Sequence, residues 1–311
     1  MHRPHGARTR KIVPVLDNAV SMGNEIGVTQ AQDSVLRALT DDGSFRVIVA
    51  RTTHTIDTIA GKQKAAGCDV AGLGDLVTAT VLLRETMAPQ LRVQGIARGA
   101  GHGGSYVVDS LPGGATRGLL QLAPGHPHVR LEGGFLQMMR TLHDGRIQQG
   151  IVEIPAGGGV SAGLMRYMQD SEQIVAVVAV GTLVHGQSVV EAGGYVVQLL
   201  HEAREGMLAV MTERLAGFPP LDEVLRGPAL TPSQLTAELL YGMPFTLLEE
   251  TGLRFECNCS QVRVLAGLST LGPAEIQSLV DEGGALDITC DFCGTDYQVS
   301  PDQLRGLLRS N

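Results

Sequence analysis

Two short cysteine motifs, Cys257-Asn258-Cys259 and Cys290-Asp291-Phe292-Cys293, decide how the last part of the chain folds. The 30 residues between them are enough for a helix that brings the second motif back to the first. Four thiolates in two close pairs can complete a tetrahedral shell around Zn²⁺. No histidine lies between residues 254 and 311, so the predicted site has four cysteine ligands and no open position for a catalytic water. The competing interpretation is four unrelated thiols in a small core.

The predicted zinc site would be structural and sensitive to oxidation. A unit of this size has too little core to be secure alone, and zinc supplies on the order of 10–16 kcal/mol of folding free energy in comparable modules. Metal binding keeps the sulfurs as thiolates, the form that oxidants attack. Each motif is close enough in sequence to join internally, Cys257 with Cys259 and Cys290 with Cys293, which would expel the metal. The one-residue C-x-C loop makes a strained, easily reduced disulfide, so the motifs predict a reversible switch.

Outward from the motifs, the chain divides into three predicted units. Residues 254–311 form the cysteine module, 201–253 a helical linker, and 1–200 an N-terminal core domain. In the linker, Thr231-Pro232-Ser233-Gln234 has the pattern of a capped helix start, and the helix should end near Gly242. An isolated helix this short is marginal in water, so we expect a metastable linker that is folded only while docked. Prolines cut the linker into short pieces at positions 219, 220, 228, 232 and 244.

The N-terminal unit is predicted to be α+β with an antiparallel sheet. Phe45, Val47 and Val49 alternate with polar residues, which predicts a strand, and residues 69–86 carry the apolar spacing of a buried helix. Further apolar runs follow without a helix between each pair, which favours an antiparallel sheet. The predicted strands and helix are Leu91–Ala97, Ser105–Val108, Gly118–Leu122, Phe135–Met139, Ile147–Ile154, a helix at 161–169, Ile174–Val180 and Tyr195–Leu200.

Charge and composition exclude several classes of protein. The chain of 311 residues has a net charge of −8 and a pI near 5.6, so binding to nucleic acid or to an anionic membrane is not expected. No apolar run reaches the roughly 18 residues that would span a bilayer. The first eleven residues are basic but lack the apolar stretch of a secretory signal, which predicts a short arm and a cytoplasmic protein.

The cysteine arrangement resembles that of bacterial redox-regulated holdases of the 33 kDa chaperonin family. The resemblance runs from about residue 33 to 300, and the basic arm and lysine-free linker depart from it. Shorter motifs that resemble the family are Tyr167 with Ser171-Glu172-Gln173, Ala192-Gly193-Gly194, Arg117-Gly118 and the TATVLL run at 78–83.

This resemblance implies an ATP-independent chaperone and no enzyme. The reduced, zinc-bound form would be inactive. Oxidation would form the disulfides 257–259 and 290–293, release one Zn²⁺ per chain, unfold the cysteine module and free the linker to bind unfolding client proteins. Activated members of the family dimerise, so a homodimer is implied for the oxidised form. The chain has no G-x-x-x-x-G-K-[ST] run that would bind the phosphates of ATP.

Two other functions compete with this one. A zinc ribbon that binds nucleic acid or a transcription partner would use residues 254–311, but these contain only four arginines against eight acids. A serine hydrolase would use Ser161 in Gly159-Val160-Ser161-Ala162-Gly163, with Asp170 or Asp222 and His185 or His201 as partners. Pro155 and the glycine run before Ser161 argue against a sharp nucleophile elbow, and an N-cap hydroxyl is the simpler role.

Three further features have structural interpretations. Gly99-Ala100-Gly101-His102-Gly103-Gly104 fits G-x-G-x-x-G, but a predicted strand follows it, which favours a hairpin turn over a dinucleotide site. Cys68, next to a buried helix, is expected to be an inert apolar residue, with a regulatory thiol as the alternative. His126 and His128 flank Pro127 in a predicted turn and are interpreted as solvated loop residues.

Overall fold

Most elements of the first 200 residues lie where apolar periodicity predicts them. The computed structural model describes residues 32–86, 90–201, 203 and 205–310, so the predicted basic arm at 1–11 lies outside the described residues. The elements are β1 (Ser34–Thr40), β2 (Phe45–Arg51), α1 (Thr53–Gln63), α2 (Cys68–Thr86), β3 (Val93–Arg98), β4 (Gly104–Ser110), β5 (Ala115–Leu122), β6 (Phe135–Thr141), β7 (Ile147–Glu153), α3 (Gly159–Glu172), β8 (Ala176–His185), β9 (Ser188–Leu199), α4 (Glu205–Ala216), α5 (Leu221–Arg226), α6 (Pro232–Leu239), β10 (Phe245–Gly252), β11 (Arg254–Phe255), α7 (Gln261–Leu268), α8 (Pro273–Asp281), β12 (Leu286–Thr289), β13 (Asp296–Val299) and α9 (Pro301–Ser310).

The strands of the described residues form two large sheets and one hairpin. The first sheet has the order β10-β1-β2-β9-β8, the second β11-β5-β4-β3-β6-β7, and β12 pairs with β13. Pairing is antiparallel except between β11 and β5. The predicted α+β class with antiparallel sheets is therefore confirmed.

Helix α2 lies at the centre of the main core. It contacts strands of both large sheets, and its last ten residues are all buried. A helix that is apolar on every side must be covered on every side, which explains why the sequence from Val77 to Leu83 has few polar positions. Among the described helices, none is both long and apolar enough to cross a membrane.

In the described part of 201–253 there are three short helices, as the prolines predict, and one strand that the sequence pattern does not predict. The Thr231 hydroxyl accepts from the Gln234 N–H at 3.2 Å and the Gln234 side chain accepts from the Thr231 N–H at 2.9 Å, as the capping pattern predicts. Leu239 of α6 is fully buried against the N-terminal sheet. The unexpected strand is β10, which pairs with β1 over its whole length.

The last part of the chain has a small core of its own. Ile276 and Val280 of α8 pack with Val299 of β13 and Leu304 of α9. The predicted helix starts at Pro273 and Pro301 are confirmed. Because β10 and β11 pair with strands of the N-terminal sheets, the described residues from 32 to 310 group as one compact unit. The predicted boundaries at residues 200 and 253 therefore stay a prediction about which parts of the chain separate on activation.

Candidate metal centre

The first cysteine motif follows a strand that joins the second sheet. Leu253 is buried in the main core, and β11 pairs in parallel with β5, placing Phe255 opposite Thr116. The Glu256 N–H then donates to the carbonyl of Thr116 at 3.0 Å. Cys257 therefore leaves the sheet beside β5.

The second motif occupies the turn of the β12–β13 hairpin. The Cys290 N–H donates to the Thr295 carbonyl at 2.9 Å, and the Cys290 carbonyl accepts from the Gly294 N–H at 2.8 Å. Gly294 has a φ of +74°, a region that other residues rarely adopt, so the tight turn requires glycine here. This turn directs Cys290 and Cys293 towards the first motif.

The four predicted ligand residues meet at one point. Their sulfur atoms all lie within 4.8 Å of one another, with 3.7 Å between Cys257 Sγ and Cys290 Sγ and 3.4 Å between Cys259 Sγ and Cys293 Sγ. Sulfurs bound about 2.3 Å from a tetrahedral Zn²⁺ lie about 3.8 Å apart. The donor set and its spacing therefore fit a tetrahedral thiolate-binding cation.

Burial and neighbouring groups shift the pKa values of these thiols in different directions. Burial raises the pKa of Cys290 to about 12. At Cys293 burial also acts to raise the pKa, but the hydrogen bond with Thr295 and the contacts with Cys259 and Cys290 outweigh it and lower it to about 6. Tyr297 donates its hydroxyl to Cys259 Sγ at 3.0 Å. Four clustered thiols cannot all ionise unaided because like charges repel, and a bound divalent cation would remove that obstacle.

Arg117 of β5 connects the first motif to the sheet. Its Nε and Nη2 donate to Asp109 Oδ2 at 2.9 and 2.8 Å. Its Nη1 donates to Asn258 Oδ1 at 2.9 Å and contacts Cys257 Sγ at 3.7 Å. The guanidinium also lies 4.1 Å from the ring centroid of Phe292, in the second motif. One side chain therefore contacts both motifs and the buried Asp109.

Gln63, at the end of α1, makes a second connection. Its Nε2 donates to the carbonyls of Asp291 and Phe292 at 2.8 and 3.1 Å, and its Oε1 accepts from the Leu120 N–H at 3.0 Å. No sequence motif includes Gln63, and Arg117 stands out in the sequence only through the R-G resemblance. Only the tertiary arrangement brings residues this far apart in sequence together.

Comparison with known proteins places this arrangement in a family. The family model described as Hsp33 protein matches residues 33–300. The chain belongs to the Hsp33 family. The 33 kDa chaperonin of Syntrophotalea carbinolica is 30% identical over 288 residues, covering 89% of this chain and 99% of that protein. The Geobacter sulfurreducens 33 kDa chaperonin is 29% identical over 287 residues, covering 88% and 94%. The crystal structure of the Thermotoga maritima Hsp33 homologue has a TM-score of 0.75 at 19% identity, covering 90% of this chain and 98% of that one.

Membership of the Hsp33 family makes this chain a chaperone, a class whose partners are unfolded proteins. The predicted resemblance is confirmed, and so is the clustering of the four cysteines that could bind a metal. The family is one of chaperones and not of known enzymes.

The structure also tests the competing motifs. Ser161 is the third residue of α3, whose N-cap is Gly158, so the N-cap interpretation is wrong. Its hydroxyl instead accepts from the Val180 N–H at 3.0 Å and contacts the Val180 carbonyl at 3.3 Å, which ties α3 to β8. The glycine-rich run at 99–104 forms the predicted hairpin turn between β3 and β4.

Cys68 differs from its expected role. It is exposed at the first position of α2, so it is not packed as a small apolar residue would be. His126 and His128 are exposed, as expected of loop residues, but His128 Nδ1 lies 3.4 Å from Asp69 Oδ2.

Proposed function

We propose that this Hsp33-family chain is a redox-regulated, ATP-independent holdase of the bacterial cytoplasm. The observation that carries the proposal is the convergence of four sulfurs from a C-x-C and a C-x-x-C motif on a site that is itself bonded to the core. Because the site is bonded to the core, oxidation of the four sulfurs would alter how residues 254–310 are attached to the sheets.

In the reduced state, Cys257, Cys259, Cys290 and Cys293 would hold one Zn²⁺. When bound, the cation neutralises the thiolates and cross-links the two motifs. The spacing of the sulfurs supports this assignment, and so does the small core of Ile276, Val280, Val299 and Leu304, which is far less extensive than the main core. A module with so few buried side chains depends on its cross-link.

Oxidation would convert each cysteine pair into a disulfide. Each new S–S bond removes two electrons from two thiolates, and hydrogen peroxide accepts them and leaves as water after taking up protons. Cys257 with Cys259 and Cys290 with Cys293 are the proposed pairs because each pair is adjacent in sequence. A sulfur engaged in a disulfide is no longer an anionic ligand, so the cross-link between the motifs is lost.

Loss of the cross-link would reach the linker through the contacts of the first motif. Once Cys257 and Asn258 leave Arg117, the short pairing of β11 with β5 loses its support on the C-terminal side. Strand β10 precedes it directly, and α5 and α6 cover strands β1, β2, β8 and β9. Departure of these helices would uncover Leu239 and its apolar partners, the kind of surface that binds unfolded chains.

The same proposal names the partners of the protein. The clients are unfolding or misfolded proteins, the oxidised form is a homodimer, and neither nucleic acid nor membrane is a partner. The aromatic ring of Phe292, which a nucleic-acid-binding ribbon would need for stacking, is covered by the guanidinium of Arg117. The acidic balance of residues 254–311 also disfavours phosphate contacts.

A client aggregation assay with disulfide mapping tests the proposal. Peroxide-treated full-length protein should suppress the aggregation of a thermally unfolding client without ATP, whereas the reduced zinc-loaded protein should not. Peptide mapping should recover the 257–259 and 290–293 disulfides. The exposed Cys68→Ser variant is the matched control and should switch normally. Equal suppression by reduced and oxidised protein would contradict the proposal.

A further inference from the structure

A second cluster of metal-ligating side chains lies at the start of α2. It consists of Cys68, Asp69 and His128, the last from the loop between β5 and β6. One donor atom from each lies within 4.8 Å of the other two. The three residues come from two segments about 60 positions apart, so the grouping arises from the fold and not from local sequence.

The carboxylate of Asp69 is held in a fixed orientation. Its Oδ1 accepts from the Tyr106 hydroxyl at 2.7 Å and from the Val129 N–H at 3.0 Å. Asp69 is only 2% exposed, and these two bonds leave Oδ2 facing His128. Outer hydrogen bonds of this kind orient the ligands of metal sites and tune their affinity.

The spacing of the carboxylate and imidazole donors matches tetrahedral coordination. Nitrogen and oxygen ligands bound about 2.0–2.2 Å from Zn²⁺ lie about 3.4 Å apart in a tetrahedron. The measured separation of Asp69 Oδ2 and His128 Nδ1 is 3.4 Å. The side chain of His128 is 51% exposed and Cys68 is exposed as well, so a cation has a path to the site.

We propose that Cys68, Asp69 and His128 form a second metal site, separate from the four-cysteine centre, for a borderline-soft divalent cation such as Zn²⁺ or Co²⁺. A thiolate, an imidazole and a carboxylate are donors that these ions accept together. Three protein ligands leave the fourth position open to water. The bound cation would also supply a positive counter-charge to the buried carboxylate of Asp69.

The alternative is an ordinary Asp69–His128 pair with Cys68 beside it as a bystander. The two interpretations differ in the role of the Cys68 thiol, because only the metal site needs Cys68 Sγ as a ligand. A cobalt titration separates them, since a thiolate bound to Co²⁺ gives a sulfur-to-metal charge-transfer absorption.

The experiment uses the full-length reduced chain, first loaded with one equivalent of Zn²⁺ and then titrated with Co²⁺. The wild type should take up one further equivalent with the charge-transfer band of a single thiolate. Cys68→Ser and His128→Ala should lose this uptake, and Tyr106→Phe should weaken it about 10- to 100-fold because the orienting hydroxyl is gone.

His126→Ala is the matched control, since His126 lies in the same loop outside the cluster, and it should bind as the wild type does. Circular dichroism should show each variant folded, including the buried Tyr106→Phe, which keeps the aromatic ring. A wild type that takes up no second equivalent, or uptake that survives Cys68→Ser, overturns the proposal. Neither result bears on the redox switch, because the four-cysteine centre is unchanged in every variant.

Discussion

Arg117 offers the sharpest test of how the cysteine centre is attached to the core. We consider Arg117→Lys, which keeps a positive charge next to the fully buried Asp109. Lysine cannot reproduce the planar fork that bonds Asp109 and Asn258 at the same time, nor the stacking on Phe292. The substitution therefore weakens the attachment and leaves the buried carboxylate with a partner.

The size of the effect follows from the interactions that lysine cannot make. A hydrogen bond to a charged group contributes about 1.5–3 kcal/mol, and an exposed cation–π contact about 0.5–1 kcal/mol. We therefore expect Arg117→Lys to lower the free energy of detaching the cysteine module by about 2–4 kcal/mol. At about 1.4 kcal/mol per tenfold, this is roughly a 30- to 1000-fold increase in the detached population.

Hydrogen exchange of the reduced, zinc-loaded protein measures this population. Amides that bridge the module and the sheet, such as the Glu256 N–H bonded to Thr116, should exchange faster by that factor. Amides of β3 and β4, in the middle of the second sheet, should be unchanged. Peroxide should also oxidise the four thiols faster, because the detached module exposes them.

Arg92→Lys is the control for the Arg117 prediction. Arg92 bonds the other oxygen of Asp109, at 3.0 and 2.5 Å, so it tests the effect of disturbing Asp109 alone. Unchanged exchange in Arg117→Lys would refute the reasoning. So would an equal increase in Arg92→Lys, because the effect would then come from Asp109 and not from the contacts with the cysteine motifs.

Three further predictions concern the linker and the core. Gly114→Ala should lower the free energy of unfolding by about 1–3 kcal/mol or more in urea titration, since φ is +81° and a Cβ would collide with the Gly252 carbonyl oxygen. Leu239→Ala should destabilise the docked linker by about 2–5 kcal/mol and give the reduced protein partial holdase activity, because Leu239 is 0% exposed. Burial raises the pKa of Asp75 from 3.8 to about 7, so this group's contribution to stability is present below pH 4 and is lost as pH rises through 7. Asp75→Asn should flatten that part of the pH profile of the free energy of unfolding.

Each of these predictions has a matched comparison. Gly113 also has a positive φ, but a Cβ at that position would have no atom within 4 Å, so an equal loss of stability in Gly113→Ala would contradict the clash at Gly114. Leu208 is 44% exposed, and activation by Leu208→Ala equal to that by Leu239→Ala would argue against release of a buried contact. If the free energy of unfolding of the wild type does not fall between pH 4 and 7 relative to that of Asp75→Asn, the raised pKa of Asp75 is contradicted.

The sequence predicts correctly the features that depend on residues close together along the chain. The four cysteines meet as predicted, since two close pairs joined by a spacer long enough to return can bring four sulfurs to one point. The capping residues Thr231 and Ser300 mark helix starts because their hydroxyls bond amides three positions along. The largely apolar run from Val77 to Leu83 in α2 marks the centre of the core.

The sequence did not predict features whose causes are distant along the chain. Strand β10 pairs with β1 more than 200 residues away, and its exposed Leu247 and Leu248 show no half-buried alternation. Helix α1 begins with Thr53, and its β-branched residues favour a strand until packing overrides that preference. The sequence does not reveal the cluster of Cys68, Asp69 and His128 for the same reason. The start of α2 and the loop before β6 come together only in the folded chain.

The stoichiometry of thiol loss and zinc release during oxidation tests the redox switch most directly. Reduced, zinc-loaded protein is treated with peroxide at mild heat, and free thiols, released Zn²⁺ and client protection are followed in the same sample. We predict that one Zn²⁺ per chain from the four-cysteine centre leaves as four thiols disappear, and that client protection rises on the same time course. Client protection that rises while the four thiols and their zinc remain in place would contradict the switch.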